Sequence, residues 1–243
     1  MYVYGVVSSS ESISLPVDGV ASEAPRLIES NGLAALVSSV PAERLRVRRS
    51  DLQAHLRAIE ALFEQTTVLP CRFGTVLASE EDVRLHLLDA RRKELESLLE
   101  ALAGRVQLNV KAVYDEPHVL RALVEADPGI SAARDRARAL GDAGYYENIR
   151  LGELVTARLS ERRAADVERI HARLARLAED VVADSRDGDA VLVLKASFLV
   201  ERKLTERFDK ELESLADEEA PVIRFELVGP LPPTAFVSLG QEG

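Results

Sequence analysis

A single cysteine, Cys71, stands among 243 residues. No disulfide can close within the chain and no thiolate cage can hold a metal, and a lone free thiol suits a reducing compartment, so the cytoplasm is the expected location. Long apolar runs are also missing. No stretch approaches the roughly 20 residues that span a bilayer, and Met1 to Val7 lacks the basic and apolar segments of a secretory leader, so membrane insertion and export by that route are not expected. Positive charge is in deficit: 31 Lys and Arg face 41 Asp and Glu, for a formal net charge of -10, a field that repels nucleic acid. The four histidines, His55, His86, His118 and His171, lie far apart, and none has the i, i+4 spacing of a helical zinc pair. Asp184, Asp187, Gly188 and Asp189 lack the register of a calcium loop and read as a tight turn. No phosphate-binding glycine loop and no nucleophile elbow is present. No catalytic residue, metal ligand or cofactor site is signalled.

What is present is core-forming material under a charged surface, with 47% hydrophobic and 30% charged residues, at a length that suits two compact units. Tyr2 to Val7 is β-branched and aromatic and reads as a strand. A short helix is expected from Ala24 to Ser30, then a turn at Asn31-Gly32 and a strand from Leu33 to Val40. Ser50 is placed to cap a helix that buries Leu52, Leu56, Ile59 and Phe63. Val68 to Leu77 is a further apolar stretch. Ser79 with Asp82 resembles a capping box for a long helix that turns Val83, Leu87, Leu95, Leu98 and Leu102 inward and stops at Gly104. In the strand Val106 to Tyr114, Val106, Leu108, Val110 and Ala112 share a face; its pattern allows pairing with either of two sheets.

From Pro117 to Gly144 short Ala- and Arg-rich helical pieces are expected, followed by a long helix from Tyr145 to Ser185. Its seam of Val167, Ile170, Leu174, Leu177 and Val181 wants an apolar partner. A turn at Asp187-Gly188-Asp189, a strand from Ala190 to Val200, a helix from Glu201 to Ala216 burying Leu204, Phe208, Leu212 and Leu215, and a strand from Val222 to Val228 complete a split βαβ succession ahead of a stiff proline-rich tail. The fold class is α+β in two domains: an N-terminal α+β domain over 1–116, and 117–243 comprising a helical connection, a C-terminal domain and the tail.

Cys71 reads either as a small core residue or as a thiolate favoured by Arg72. Arg44, Arg46, Arg48 and Arg49 form the best basic patch, but without interleaved aromatics it reads as a solvated or protein-facing surface. Glu80, Glu81 and Asp82 suit the positive end of a helix without acid-base work.

Three segments carry more. Tyr2-Val3-Tyr4-Gly5-Val6, Leu69-Pro70-Cys71-Arg72-Phe73-Gly74-Thr75-Val76 and Gly229-Pro230-Leu231-Pro232-Pro233-Thr234-Ala235-Phe236-Val237 resemble, in order and spacing, the opening strand, central motif and C-terminal motif of the gas vesicle protein F/L family. The motif positions are Tyr4, Gly5, Leu69, Pro70, Arg72, Phe73, Gly74, Gly229, Pro230, Pro232, Pro233 and Phe236. Leu231 stands where the family usually has Trp, and Thr234-Ala235 where it has Tyr-Ser. The resemblance implies an accessory protein of gas vesicle assembly, with a C-terminal domain like a modified ferredoxin fold, no enzymatic activity and no cofactor. It implies contact with the hydrophobic shell protein and with other gas vesicle accessory proteins, and residence in the cytoplasm and at the gas vesicle. Arg72 and Phe73 are the expected partner-binding residues; Phe73 as core filler and Arg72 as an internal ion pair are the alternatives. The binding surface is expected in the first domain, as an unpaired sheet edge or an apolar groove between helices. Pro232, Pro233 and Phe236 are expected to fold the tail back onto the second domain. A ferredoxin-like enzyme or small-ligand sensor and a coiled-coil scaffold are the competing readings.

Overall fold

The computed structural model describes residues 1–9, 13, 18–40, 48–184, 191–237 and 239. Backbone contacts gather Met1–Gln107 and the tail from Gly229 into one unit, and Leu108–Val228 into another.

The first unit is built on a sheet of four strands, β1 (Tyr2–Ser8), β2 (Arg26–Ser30), β3 (Leu33–Ser38) and β4 (Leu69–Pro70), in the order β2-β3-β1-β4. The helix expected from Ala24 to Ser30 is in fact strand β2. Asn31 and Gly32 both take positive φ, 47° and 88°, and Ser30 pairs with Leu33 across them. This is the two-residue hairpin loop that Asn-Gly favours, and it forces the preceding residues to pair with β3. Between β1 and β3 the register slips at Tyr4, with Val3 opposite Val37 but Gly5 opposite Leu36. Such a bulge reverses the alternation of side chains. Tyr2, Tyr4 and Val7 consequently all enter one core cluster, although an unbroken strand would send Val7 to the opposite face.

Helix α1 (Arg49–Phe63) packs on this cluster through Ala54, Ala58, Ile59 and Leu62. The expected face was displaced: Leu52 and Leu56 are 42% and 43% exposed. Two alanines on the inward side let the helix axis approach the sheet, which suits the bulky tyrosines opposite. Ser50 does not cap this helix; Arg48 occupies the cap position without a side-chain bond. Arg44 and Arg46 lie outside the described residues. The Ser79 capping box is present, with the Asp82 N–H donating to Ser79 Oγ at 3.1 Å, but the helix it opens is broken into α2 (Glu80–Asp82), a π-helical segment Val83–Asp89, and α3 (Arg92–Leu102). Val83, Leu87, Leu88, Leu95, Leu99 and Leu102 are its buried side chains, and Gly104, with φ 70°, follows its end.

The second unit takes β5 (Arg105–Tyr114) from Leu108 onward, α4 (Glu116–Ala126), α5 (Pro128–Leu140), α6 (Tyr145–Ala175), β6 (Asp180–Ala183), β7 (Leu192–Glu201), α7 (Thr205–Glu219) and β8 (Ile223–Leu231) as far as Val228. Its strands order as β6-β7-β5-β8. With helices between β5 and β6 and between β7 and β8, this is the ferredoxin-like succession. The strand left open between two sheets, β5, is interior to this one, and Val106, Leu108, Val110, Ala112 and Tyr114 are all buried. Helix α6 is shorter than expected. It ends at Ala175, and Val181 belongs to β6. Ile170 and Leu174 remain buried on it, and it packs on α7 and β7 of the same chain. Arg173 pairs with Glu211 and Glu218 of α7 at 2.6 Å each. The seam that a coiled coil would use is thus satisfied internally over its last turns. The turn expected at Asp187-Gly188-Asp189 lies outside the described residues.

Candidate functional site

The central motif forms the turn that leaves β4, and a buried polar chain holds it. Cys71 donates its N–H to the Tyr4 carbonyl at 2.8 Å. Its own carbonyl meets Nε2 of His55 at 3.1 Å. A carbonyl can only accept, so Nε2 carries the hydrogen and Nδ1 is left as an acceptor. The Tyr2 hydroxyl, 3.0 Å from Nδ1, donates to it and in turn accepts the Gly74 N–H at 3.2 Å. Both flanks of Arg72-Phe73 are therefore anchored on one Tyr-His pair. A second chain runs alongside: the Val20 N–H donates to the Tyr4 hydroxyl at 2.7 Å, which donates to Ser38 Oγ at 2.9 Å, which donates to the Glu23 carbonyl at 3.1 Å.

Burial governs the electrostatics here. It pulls the pKa of His55 down to about 4, against the smaller opposing effect of the bond to Cys71, so the imidazole is neutral at pH 7. Burial raises both Tyr2 and Tyr4. Cys71 is 3% exposed, and burial pushes its thiol up to about 12, with Arg91 acting weakly the other way. The reading of Cys71 as a reactive thiolate is corrected by this: the thiol is a protonated core group, and the adjacent Arg72 side chain does not lower it.

The glycines of the motifs have steric causes. Gly74 has φ 90°, a conformation that side chains resist. At Gly5 a Cβ would lie 2.8 Å from the Leu69 carbonyl oxygen and 3.0 Å from Val68, because β1 and β4 pair there.

Of the two expected partner-binding residues, Phe73 is half-buried. Its ring meets His55 and Tyr2 edge-on at centroid distances of 5.6 and 6.1 Å and packs against the core cluster. Arg72 is exposed, and its guanidinium has no hydrogen-bond or ion-pair partner among the described residues. Leu69 and Pro70 are buried in β4. The tail corrects the expectation made for it. It does not fold onto the second unit. Pro232 and Pro233 are buried and Phe236 half-buried, the Ala235 N–H donates to the Gln107 side-chain oxygen at 2.8 Å, and Leu239 bonds to Pro70 and Arg72, all within the first unit. The physical reason is local pairing: the Gln107 side-chain oxygen accepts the Ala235 N–H, and the outer edge of β4 pairs with the backbone of Leu239. Gly229 and Pro230 stay exposed at the end of β8. His55, noted from sequence only for lacking the spacing of a zinc pair, is the residue missed. Only its position on α1 could have flagged it, and there the adjacent Leu52 and Leu56 drew the predicted face away from it.

Among the described residues no group of three His, Cys, Asp or Glu side chains could hold a metal, and no helix is long and apolar enough to cross a membrane.

Residues 1–238 match the family model of the gas vesicle synthesis protein GvpL/GvpF. The chain belongs to the GvpL/GvpF family. A gas vesicle protein F of Streptomyces sp. (strain CB03234) is 35% identical over 240 residues, covering 97% of this chain and 98% of that one. A gas vesicle protein L of the same strain is 31% identical over 271 residues, covering 99% and 94%. The crystal structure of the gas vesicle protein GvpF from Anabaena sp. PCC7120 superposes with a TM-score of 0.85 at 23% identity, over 99% of this chain and 98% of that one, which shows a shared fold. Membership in the GvpL/GvpF family supports a role in gas vesicle formation.

Proposed function

We propose that this GvpL/GvpF-family chain is an accessory protein of gas vesicle assembly that binds the hydrophobic shell protein through its first unit, by contact and without turnover. A shell subunit with exposed apolar surface aggregates in water unless something covers it. The observation that carries the reading is Arg72: an exposed guanidinium without a partner among the described residues, on a turn whose two flanks are fixed by buried hydrogen bonds to Tyr2 and His55. Preorganised cations of this kind cost little ordering entropy on binding, and Arg is among the residues that dominate interface energetics. Phe73 supports the turn from below and offers its outer edge to the same contact. Other gas vesicle accessory proteins are the second class of partner, and the cytoplasm and the growing vesicle are the places of action. Co-purification with the shell protein tests this. Arg72→Ala is expected to keep the wild-type circular dichroism spectrum and melting curve while reducing captured shell protein about tenfold, the loss of one interface hot spot. An Arg72→Ala chain that captures as much shell protein as wild type removes Arg72 from the contact.

A further inference from the structure

β4 pairs with β1 on one side through Gly5 and Val6. On its other side Leu239 forms a parallel bridge with Cys71: the Leu239 N–H donates to the Pro70 carbonyl at 2.9 Å, and the Arg72 N–H donates to the Leu239 carbonyl at 2.8 Å. Pro70 has no N–H of its own. The outer edge therefore offers one acceptor and one donor, spaced to receive a single residue of an extended chain.

The side chain of that residue has somewhere to go. Leu239 is 3% exposed and, with Cys71, Val76, Leu77 and Leu87, lines a cavity of 220 Å³ that it leaves unfilled. The two basic side chains on the wall already face carboxylates, Arg91 with Glu94 at 2.7 Å and His86 with Asp82 at 3.6 Å. What remains to be recognised is apolar volume and a backbone bracket, the two elements by which sheet edges select extended segments. The chain's own Leu239 demonstrates the mode of seating, and the empty volume beside it favours an occupant with a larger apolar side chain.

We propose that the outer edge of β4 is the docking site for an extended segment of the shell protein, which takes the Pro70–Arg72 bracket and places an apolar side chain bulkier than leucine beside Cys71, displacing Leu239. This rests on the reading that the first unit binds the shell protein, and it names the surface and the geometry. Leu239 occupies the edge in the free protein and shields it from unwanted pairing, as edge strands require.

Cys71 is the only thiol and sits under Leu239, so its alkylation by iodoacetamide reports whether the edge is covered. In the full-length protein, Leu239→Asp puts a carboxylate into the apolar cavity and unseats the tail; Leu239→Phe fills the cavity and seats it more firmly. Leu239→Asp is expected to speed Cys71 alkylation at least about tenfold, as a local opening does, and to increase capture of purified shell protein. Leu239→Phe is expected to slow alkylation and to reduce capture severalfold. If Leu239→Asp fails to fold, the comparison of Leu239→Phe with wild type carries the test. Alkylation that follows these substitutions while shell capture stays constant overturns the docking site and leaves the broader function standing. Alkylation that is equal in all three chains shows that Leu239 does not cover the edge and overturns it as well. Wild-type protein that captures no shell protein overturns the functional reading itself.

Discussion

Between pH 7 and pH 5 the first unit is expected to lose stability through one side chain, His55. The unfolded chain takes up a proton there near the ordinary value of 6.5, whereas the folded chain refuses it until about pH 4. In that window the unfolded state binds more protons, so acid favours unfolding. The contribution is fully present above 6.5, declines as pH falls, and levels off near 4. A difference of this size is worth about 3 kcal/mol in all, of which about 2 kcal/mol is lost by pH 5. Among the described residues no neighbouring charge relieves it: the ring is enclosed by Tyr2, Tyr4 and Phe73 and bonded to a carbonyl and a hydroxyl. Asp89, Glu94, Asp115, Asp127 and Glu218 are all held below the usual carboxylate range by hydrogen bonds, so their protonation belongs to lower pH. Urea unfolding followed by far-UV circular dichroism at pH 7, 6 and 5 measures the slope. The same series on His55→Gln, which keeps His86, His118 and His171, isolates the source, and its slope is expected to be nearly flat. Equal stability of the wild type at pH 7 and pH 5, or an unchanged slope in His55→Gln, refutes the assignment.

Tyr2→Phe keeps the ring contacts but removes the hydroxyl that joins Gly74 to His55; a loss of about 2 kcal/mol is expected in urea melts, the cost of leaving a buried acceptor and an amide unpaired. Gly5→Ala drives a methyl group into the Leu69 carbonyl and is expected to cost about 1–3 kcal/mol by overpacking, seen as a lower melting temperature. In the second unit, Asp166 is 7% exposed and bonds to Tyr114 at 2.7 Å and to Arg169 at 2.6 Å. Asp166→Ala is expected to cost about 1–3 kcal/mol by leaving the buried Tyr114 hydroxyl without its acceptor, while Arg169 keeps Glu219, with amide exchange accelerating in β5 and α6 and little change in β1.

How much of this was legible depended on how local each signal was. The strand at Tyr2, the cap at Ser79 and the buried face of β5 are written in neighbouring residues, and the structure shows all three. The Asn31-Gly32 pair was visible as a turn, but its consequence, that Arg26 to Ser30 must be a strand, needed the hairpin to be weighed above the helical look of the preceding residues. Helix α1 exposes two leucines and buries two alanines, a choice made by the volume of Tyr2 and Tyr4 opposite, which no periodicity within the helix records. The end of α6 was overrun because Val181 continues the apolar spacing into β6. Arg72 and Phe73 were singled out only through resemblance. The hydrogen bonds that hold them come from Tyr2 and His55, which are distant in sequence from the turn and from each other, and side chains brought together by topology leave no motif.

About 170 residues separate Cys71 from Leu239 along the chain, and on a ribosome adding 5–20 residues per second that gap lasts roughly 10–30 s. Throughout it the residue that covers the outer flank of β4 has not yet been made. Order of synthesis thus leaves that flank without its own cover for the whole of this interval.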